Sequence, residues 1–79
     1  MKPDFTKEKP KVRVGKYGVT QGVVDEIVRR LEKNDVVKIK ILKSCLKNES
    51  FDGIAEKIVK LTHSNLVETR GHTIILLRN

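Results

Sequence analysis

The stretch Val12-Arg13-Val14-Gly15-Lys16-Tyr17-Gly18-Val19-Thr20 decides how the rest of the chain is read. Val12-Arg13-Val14 alternates apolar and polar side chains, the period of a short strand. Gly15 ends that pattern, and Thr20 offers a side-chain oxygen to cap a helix. Beyond Thr20, the apolar residues Val23, Val24, Ile27, Val28 and Leu31 fall on one helical stripe, with Asp25, Glu26, Arg29, Arg30, Glu32 and Lys33 outside it. Asn34 is the candidate left-handed terminator. A strand, a glycine turn and an amphipathic helix therefore open the fold.

The run Val36-Val37-Lys38-Ile39-Lys40-Ile41-Leu42 continues it as a strand rich in β-branched residues. Val37, Ile39 and Ile41 share one face and Lys38 and Lys40 the other, so the sheet has one covered face and one at least partly wet. Residues 44–50 read as a connecting loop. Ser50 or Asp52 then caps a second helix whose apolar side is Ile54, Ala55, Ile58, Val59 and Leu61. Leu66 to Thr69 and Thr73 to Leu77 form two further strands. Only Arg70-Gly71-His72 separates them, which predicts an antiparallel hairpin.

The order is β-α-β-α-β-β. Right-handed crossovers place both helices on the same side of the sheet if each crosses in the same direction. The expected fold is a two-layer α+β domain over residues 11–79, with a four-stranded mixed sheet. Residues 1–10 combine Pro3, Pro10, alternating charge and the single apolar residue Phe5 after Met1, and read as a flexible basic arm.

At 79 residues the chain is one domain, near the lower size that buries enough apolar surface to fold alone. Lys and Arg number 17 against 10 Asp and Glu, a formal net charge of +7, which favours an anionic partner such as nucleic acid or a phospholipid surface. The excess is concentrated: residues 1–20 hold six cations and two anions, so the positive field belongs to the surface that segment occupies. The single cysteine, Cys45, cannot form an internal disulfide and suits a reducing compartment as a structural thiol. No apolar run reaches the ~18 residues of a membrane span, and Met1-Lys2-Pro3-Asp4 lacks the apolar core of a signal peptide. The expected location is the cytoplasm.

Gly15-Lys16-Tyr17-Gly18 carries the chemistry. Two glycines let the chain bend sharply and hold no ligand at a distance. The helix that follows directs unpaired amides outward with a partial positive charge, where a phosphate can rest. Lys16 adds a full charge, and Tyr17 a flat ring for an unpaired base or a ribose. The competing reading is a tight turn whose glycines serve their dihedral angles alone. Lys11 and Arg13 just upstream, and the lack of an acidic residue in the loop, favour the ligand.

The run from Val12 to Thr20, with Val24 and Ile27 after it, resembles the opening of the CRM domain, the YhbY-like RNA-binding family. That family has a strand, a G-K-x-G-[LV]-T segment and a helix. Val36 to Leu42 resembles its lysine-bearing strand, and Gly71-His72-Thr73-Ile74-Ile75-Leu76-Leu77-Arg78 its closing strand, so the likeness covers about residues 11–78. The resemblance implies a domain shaped like the C-terminal domain of translation initiation factor three. It also implies RNA binding, with single-domain members associated with large-subunit ribosome precursors. The contact residues it implies are Gly15, Lys16, Gly18 and Arg78.

If the first three strands run parallel, their C-terminal ends lie beside the glycine loop. Lys11, Arg13, Lys16, Lys43, Arg70 and His72 then form a composite basic edge. Arg29, Arg30 and Lys33 are read as structural, paired with neighbouring acids, and Lys38 and Lys40 as solubilising. Cys45, His63 and His72 lack zinc-site spacing, and Gly15-Lys16 is not part of a G-x-x-x-x-G-K-[ST] phosphate loop. No nucleophile, base and orienting group form a recognisable motif. The expectation is a non-enzymatic, cofactor-free RNA binder, with ribosomal RNA as the expected target. A small chromatin-type DNA binder and a protein-interaction adaptor are the alternatives.

Overall fold

The computed structural model describes residues 9–47 and 49–79, so residues 1–8 of the expected basic arm lie outside the described residues. The elements are β1 (Val12–Val14), α1 (Gln21–Asn34), β2 (Val36–Ile41), a 3-10 turn (Cys45–Lys47), α2 (Phe51–Thr62), β3 (Asn65–Arg70) and β4 (Thr73–Leu77). The strands lie in the order β1-β2-β4-β3. β1 is parallel to β2, and β4 runs antiparallel to both β2 and β3. Three strands thus point one way and β4 alone points back.

Alternation along the strands sorts the residues into two faces. Val12 and Val14 of β1, Val37, Ile39 and Ile41 of β2, and Ile74 and Leu76 of β4 are buried in one cluster with Ile27, Leu31, Ile54 and Ile58 of the helices. Both helices cover that face, as right-handed crossovers require. Ile75 is also buried, although alternation turns it away from the helices, between its cross-strand neighbours Lys38 and Glu68.

Each helix is capped by a hydroxyl: Thr20 Oγ1 accepts from the Val23 N–H at 3.2 Å, and Ser50 Oγ from the Gly53 N–H at 3.1 Å. The far ends depart from expectation. Asn34 remains helical, and Asp35 takes the left-handed conformation (φ 62°), donating its N–H to the Leu31 carbonyl. Asp tolerates that region nearly as well as Asn, so local sequence left the choice open. His63 closes α2 in the same way, with φ 52°.

Leu61, assigned to the apolar side of α2, is exposed, and Thr62 is buried in its stead. Ile54, Ala55, Ile58 and Thr62 keep the core-facing spacing, from which Leu61 falls away. The Thr62 hydroxyl donates to the Ile58 carbonyl and bonds Ser64 Oγ, both at 2.7 Å, so its burial leaves no orphaned polar group.

The loop expected at residues 44–50 contains the 3-10 turn, in which the Cys45 thiol is buried. Burial, then the Glu49 carboxylate, push its pKa above the ordinary value, against an opposing pull from Lys57. β3 extends one residue beyond expectation at each end and carries a bulge between Leu66 and Glu68. This strand is exposed throughout, and the bulge disrupts the regular edge that invites pairing with another chain.

Two outcomes follow from this packing. Ile39→Ala, at a fully buried position of a central strand, should cost about 2–5 kcal/mol of stability in urea unfolding. Cys45 should react far more slowly with iodoacetamide at pH 8 in the folded protein than in denaturant, because the thiolate is the reactive form; equal rates would contradict its placement.

Candidate nucleic-acid interface

Because β1, β2 and β3 run the same way, their C-terminal ends meet the start of β4 at one rim. The Val14 carbonyl accepts from the Leu42 N–H at 2.9 Å, and the Ile41 N–H donates to the His72 carbonyl at 2.7 Å. These bonds fasten the glycine turn, the segment after β2 and the β3–β4 hairpin side by side. Gly15 faces Leu42 and Ser44. The His72 ring lies 6.0 Å from that of Phe51, the first residue of α2.

The turn itself is closed by the Gly18 N–H donating to the Gly15 carbonyl at 2.9 Å. Lys16 and Tyr17 are therefore its two corner residues. Both project into solvent, Tyr17 with 80 % of its surface exposed. Lys16 Nζ stands 5.1 Å from the Tyr17 ring centroid, within cation–π range. That contact holds a full positive charge and an aromatic face together at the tip. The first turn of α1 directly behind carries no acidic residue, so its outward amides keep their positive end of the helix dipole uncompensated.

The two glycines do different work. Gly18 has φ 71°, a conformation that other residues adopt only with strain. Gly15 is outside that region, and a methyl group there would meet Leu42 Cδ1 at 3.6 Å and Ser44 Oγ at 3.9 Å, ordinary contact distances. Backbone geometry calls for glycine at 18. At 15 neither dihedral nor packing does.

Of the residues singled out in the sequence, Gly15, Lys16, Tyr17, Gly18, Lys43 and His72 come together at this rim. Arg13 and Arg70 belong to the helix-free face of the sheet, with Lys11 adjoining them beside Lys38. Lys40, read as solubilising, lies between Arg13 and Thr73 on that face. The alternation Lys38-Ile39-Lys40 was the available signal for it, but a single strand does not reveal its neighbours. Arg78 is at the opposite end of the molecule, beyond the end of β4. There its guanidinium pairs with Asp35 Oδ1 at 3.4 Å and its N–H is bonded to the Asp35 carbonyl. It is not brought to the turn.

Among the described residues the remaining ion pairs are on or beside the helices: Arg30 with Glu26, Lys60 with Glu56, and Lys57 with Glu49. Among the described residues no carboxylate pairs with Lys16, Lys43, Arg13, Lys40 or Arg70. The charge of these five side chains is therefore not offset by ion pairing within the described residues.

Residues 1–78 match the family model of the CRS1 / YhbY (CRM) domain. The chain belongs to the CRM domain family. A Bacillus subtilis protein, YqeI, named as a probable RNA-binding protein, is 36% identical over 69 residues, spanning 87% of this chain and 70% of that protein. A Haemophilus influenzae protein named as an RNA-binding protein is 33% identical over 69 residues, 87% of this chain and 68% of its own length. In fold, this CRM domain is similar to the solution structure of SAV1595 from Staphylococcus aureus. The TM-score is 0.76 at 24% identity, over 94% of this chain and 75% of that one.

The glycine asymmetry in this CRM domain is measurable. Gly18→Ala should lower stability by about 1–2 kcal/mol, the cost of a Cβ in the left-handed region. Gly15→Ala should leave thermal unfolding within about 0.5 kcal/mol of the parent, as for substitutions free of special constraints. Equal losses would show that Gly15 too is a structural requirement.

Proposed function

We propose that this chain is a non-enzymatic RNA-binding module that holds the phosphodiester backbone at the Gly15–Gly18 turn. The Lys16–Tyr17 tip carries this reading: a full cation and an aromatic face, both solvent-exposed, are held together at the corners of the turn. Lys16 supplies a mobile cation, Tyr17 a stacking surface, Lys43 a second cation on the adjoining segment, and the start of α1 its outward amides. Phosphate against amides and lysine, with a base or ribose on the ring, is the chemistry this set performs.

The names borne by the relatives in Bacillus subtilis and Haemophilus influenzae support RNA as the ligand. The resemblance of the three CRM segments extends the proposal to ribosomal RNA and to assembly of the large subunit, and the lone cysteine, suited to a reducing compartment, extends it to the cytoplasm. Binding of this type is driven mainly by backbone charge and weakens steeply with salt.

Fluorescence anisotropy with a structured ribosomal RNA fragment and a DNA duplex at matched salt tests the proposal. Lys16→Ala should reduce the salt slope for RNA by roughly 0.7–0.9, one phosphate contact, without lowering the melting temperature. Tyr17→Ala should weaken binding by about 1–3 kcal/mol if the ring stacks on a base. A folded Lys16→Ala protein with unchanged affinity would remove the turn from the interface, and preference for the duplex would replace RNA with DNA.

A further inference from the structure

The helix-free face of the sheet carries a row of side chains that crosses all four strands. Register places Arg13 of β1 beside Lys40 of β2, Lys40 opposite Thr73 of β4, and Thr73 opposite Arg70 of β3. Cross-strand partners point to the same face, and the neighbours Val12, Val14, Ile39, Ile41 and Ile74 point into the helix-side core. Arg13, Lys40 and Arg70 are exposed. At about 4.8 Å per strand step the row spans roughly 14 Å.

Like charges on adjacent strands weaken sheet pairing, and among the described residues no ion pair relieves Arg13, Lys40 or Arg70. Glu68, on the same face, stands one row back beside Ile75. The row is also the one nearest the rim: Arg13 is two residues before Gly15, and Arg70 and Thr73 flank the Gly71-His72 turn. Its field is therefore continuous with that of the glycine turn. No aromatic residue lies in β1, β2, β3 or β4, so this face has none of the rings on which sheet-based RNA readers stack bases.

We propose that the Arg13–Lys40–Thr73–Arg70 row is a second RNA contact, a sequence-independent track that holds the phosphates of the strand continuing from the glycine turn. The proposal rests on the RNA-binding reading of that turn and extends it across the sheet. A short RNA fills the turn alone. A longer one lies over the row, with Arg and Lys on its phosphates and the Thr73 hydroxyl available as a donor. Affinity gained with length is then electrostatic and indifferent to base identity.

The test uses single-stranded RNAs of about six nucleotides, near the lower end of the site sizes of small single-strand-binding domains, and of about twenty, beyond their upper end, each in two unrelated sequences. Binding is measured over a salt series for the parent, Lys16→Ala, and the triple variant Arg13→Gln, Lys40→Gln, Arg70→Gln. The expected result for the triple variant is a salt slope reduced by roughly two for the long RNAs, about 0.7 for each lost phosphate contact, with a much smaller change for the short RNAs. Lys40→Gln alone should remove about 0.7 and serves in place of the triple variant if that protein does not fold. A long-RNA slope equal to the parent's overturns the track, as does an equal loss at both lengths or a dependence on base sequence. Failure of the glycine-turn reading has a different signature: Lys16→Ala leaves both lengths unaffected.

Discussion

Parallel pairing of β1 with β2 is the constraint on which the remaining geometry depends. Val12, Arg13 and Val14 align with Ile39, Lys40 and Ile41, and that register turns valine and isoleucine together into the helix-covered core. It also brings the two cations together on the opposite face. The same direction of travel carries the chain out of β1 at the end where β2 finishes. The Val14 carbonyl then fastens Leu42 and fixes Lys43 beside the turn. A one-residue slip would bury Arg13 and expose two valines, so the core and the basic face are specified by the same bonds.

A small domain has little stability to spare, and this one spends little on its surface site. Within the Gly15–Gly18 turn only Gly18 must be glycine for its dihedral angle; the cap at Thr20 and the bond from Gly18 to Gly15 do the rest. Lys16 and Tyr17 pack against nothing in the core. They are free to be chosen for chemistry, and their mutual contact holds the tip ready without reducing its exposure. The acids are distributed in the same sense. Glu26, Glu49, Glu56 and Asp35 are engaged by cations on or near the helices and at the far end of β4. Among the described residues no carboxylate forms an ion pair with the turn or the cation row.

Membership of the CRM domain family and the likeness in fold to SAV1595 account for the architecture. The direction of β4 separates Arg78 from the turn. The position of Arg78 at the end of a strand that starts at the rim makes it a clamp between the last strand and the end of α1, through Asp35.

The elements and their order were legible in the sequence because each is a local pattern: alternation in β1 and β2, an unbroken apolar run in β4, helical stripes in α1 and α2, and hydroxyl caps at Thr20 and Ser50. The glycine turn was legible for the same reason, since its residues are consecutive. Helix ends were less so, because Asn34 and Asp35 are both tolerated in the left-handed conformation and only packing selects between them. Tertiary structure alone decided that Arg13, Lys40 and Arg70 form one row and that Arg78 lies far from the turn. Those relations depend on strand order and register, set by bonds between residues up to several dozen positions apart, and no local period records them.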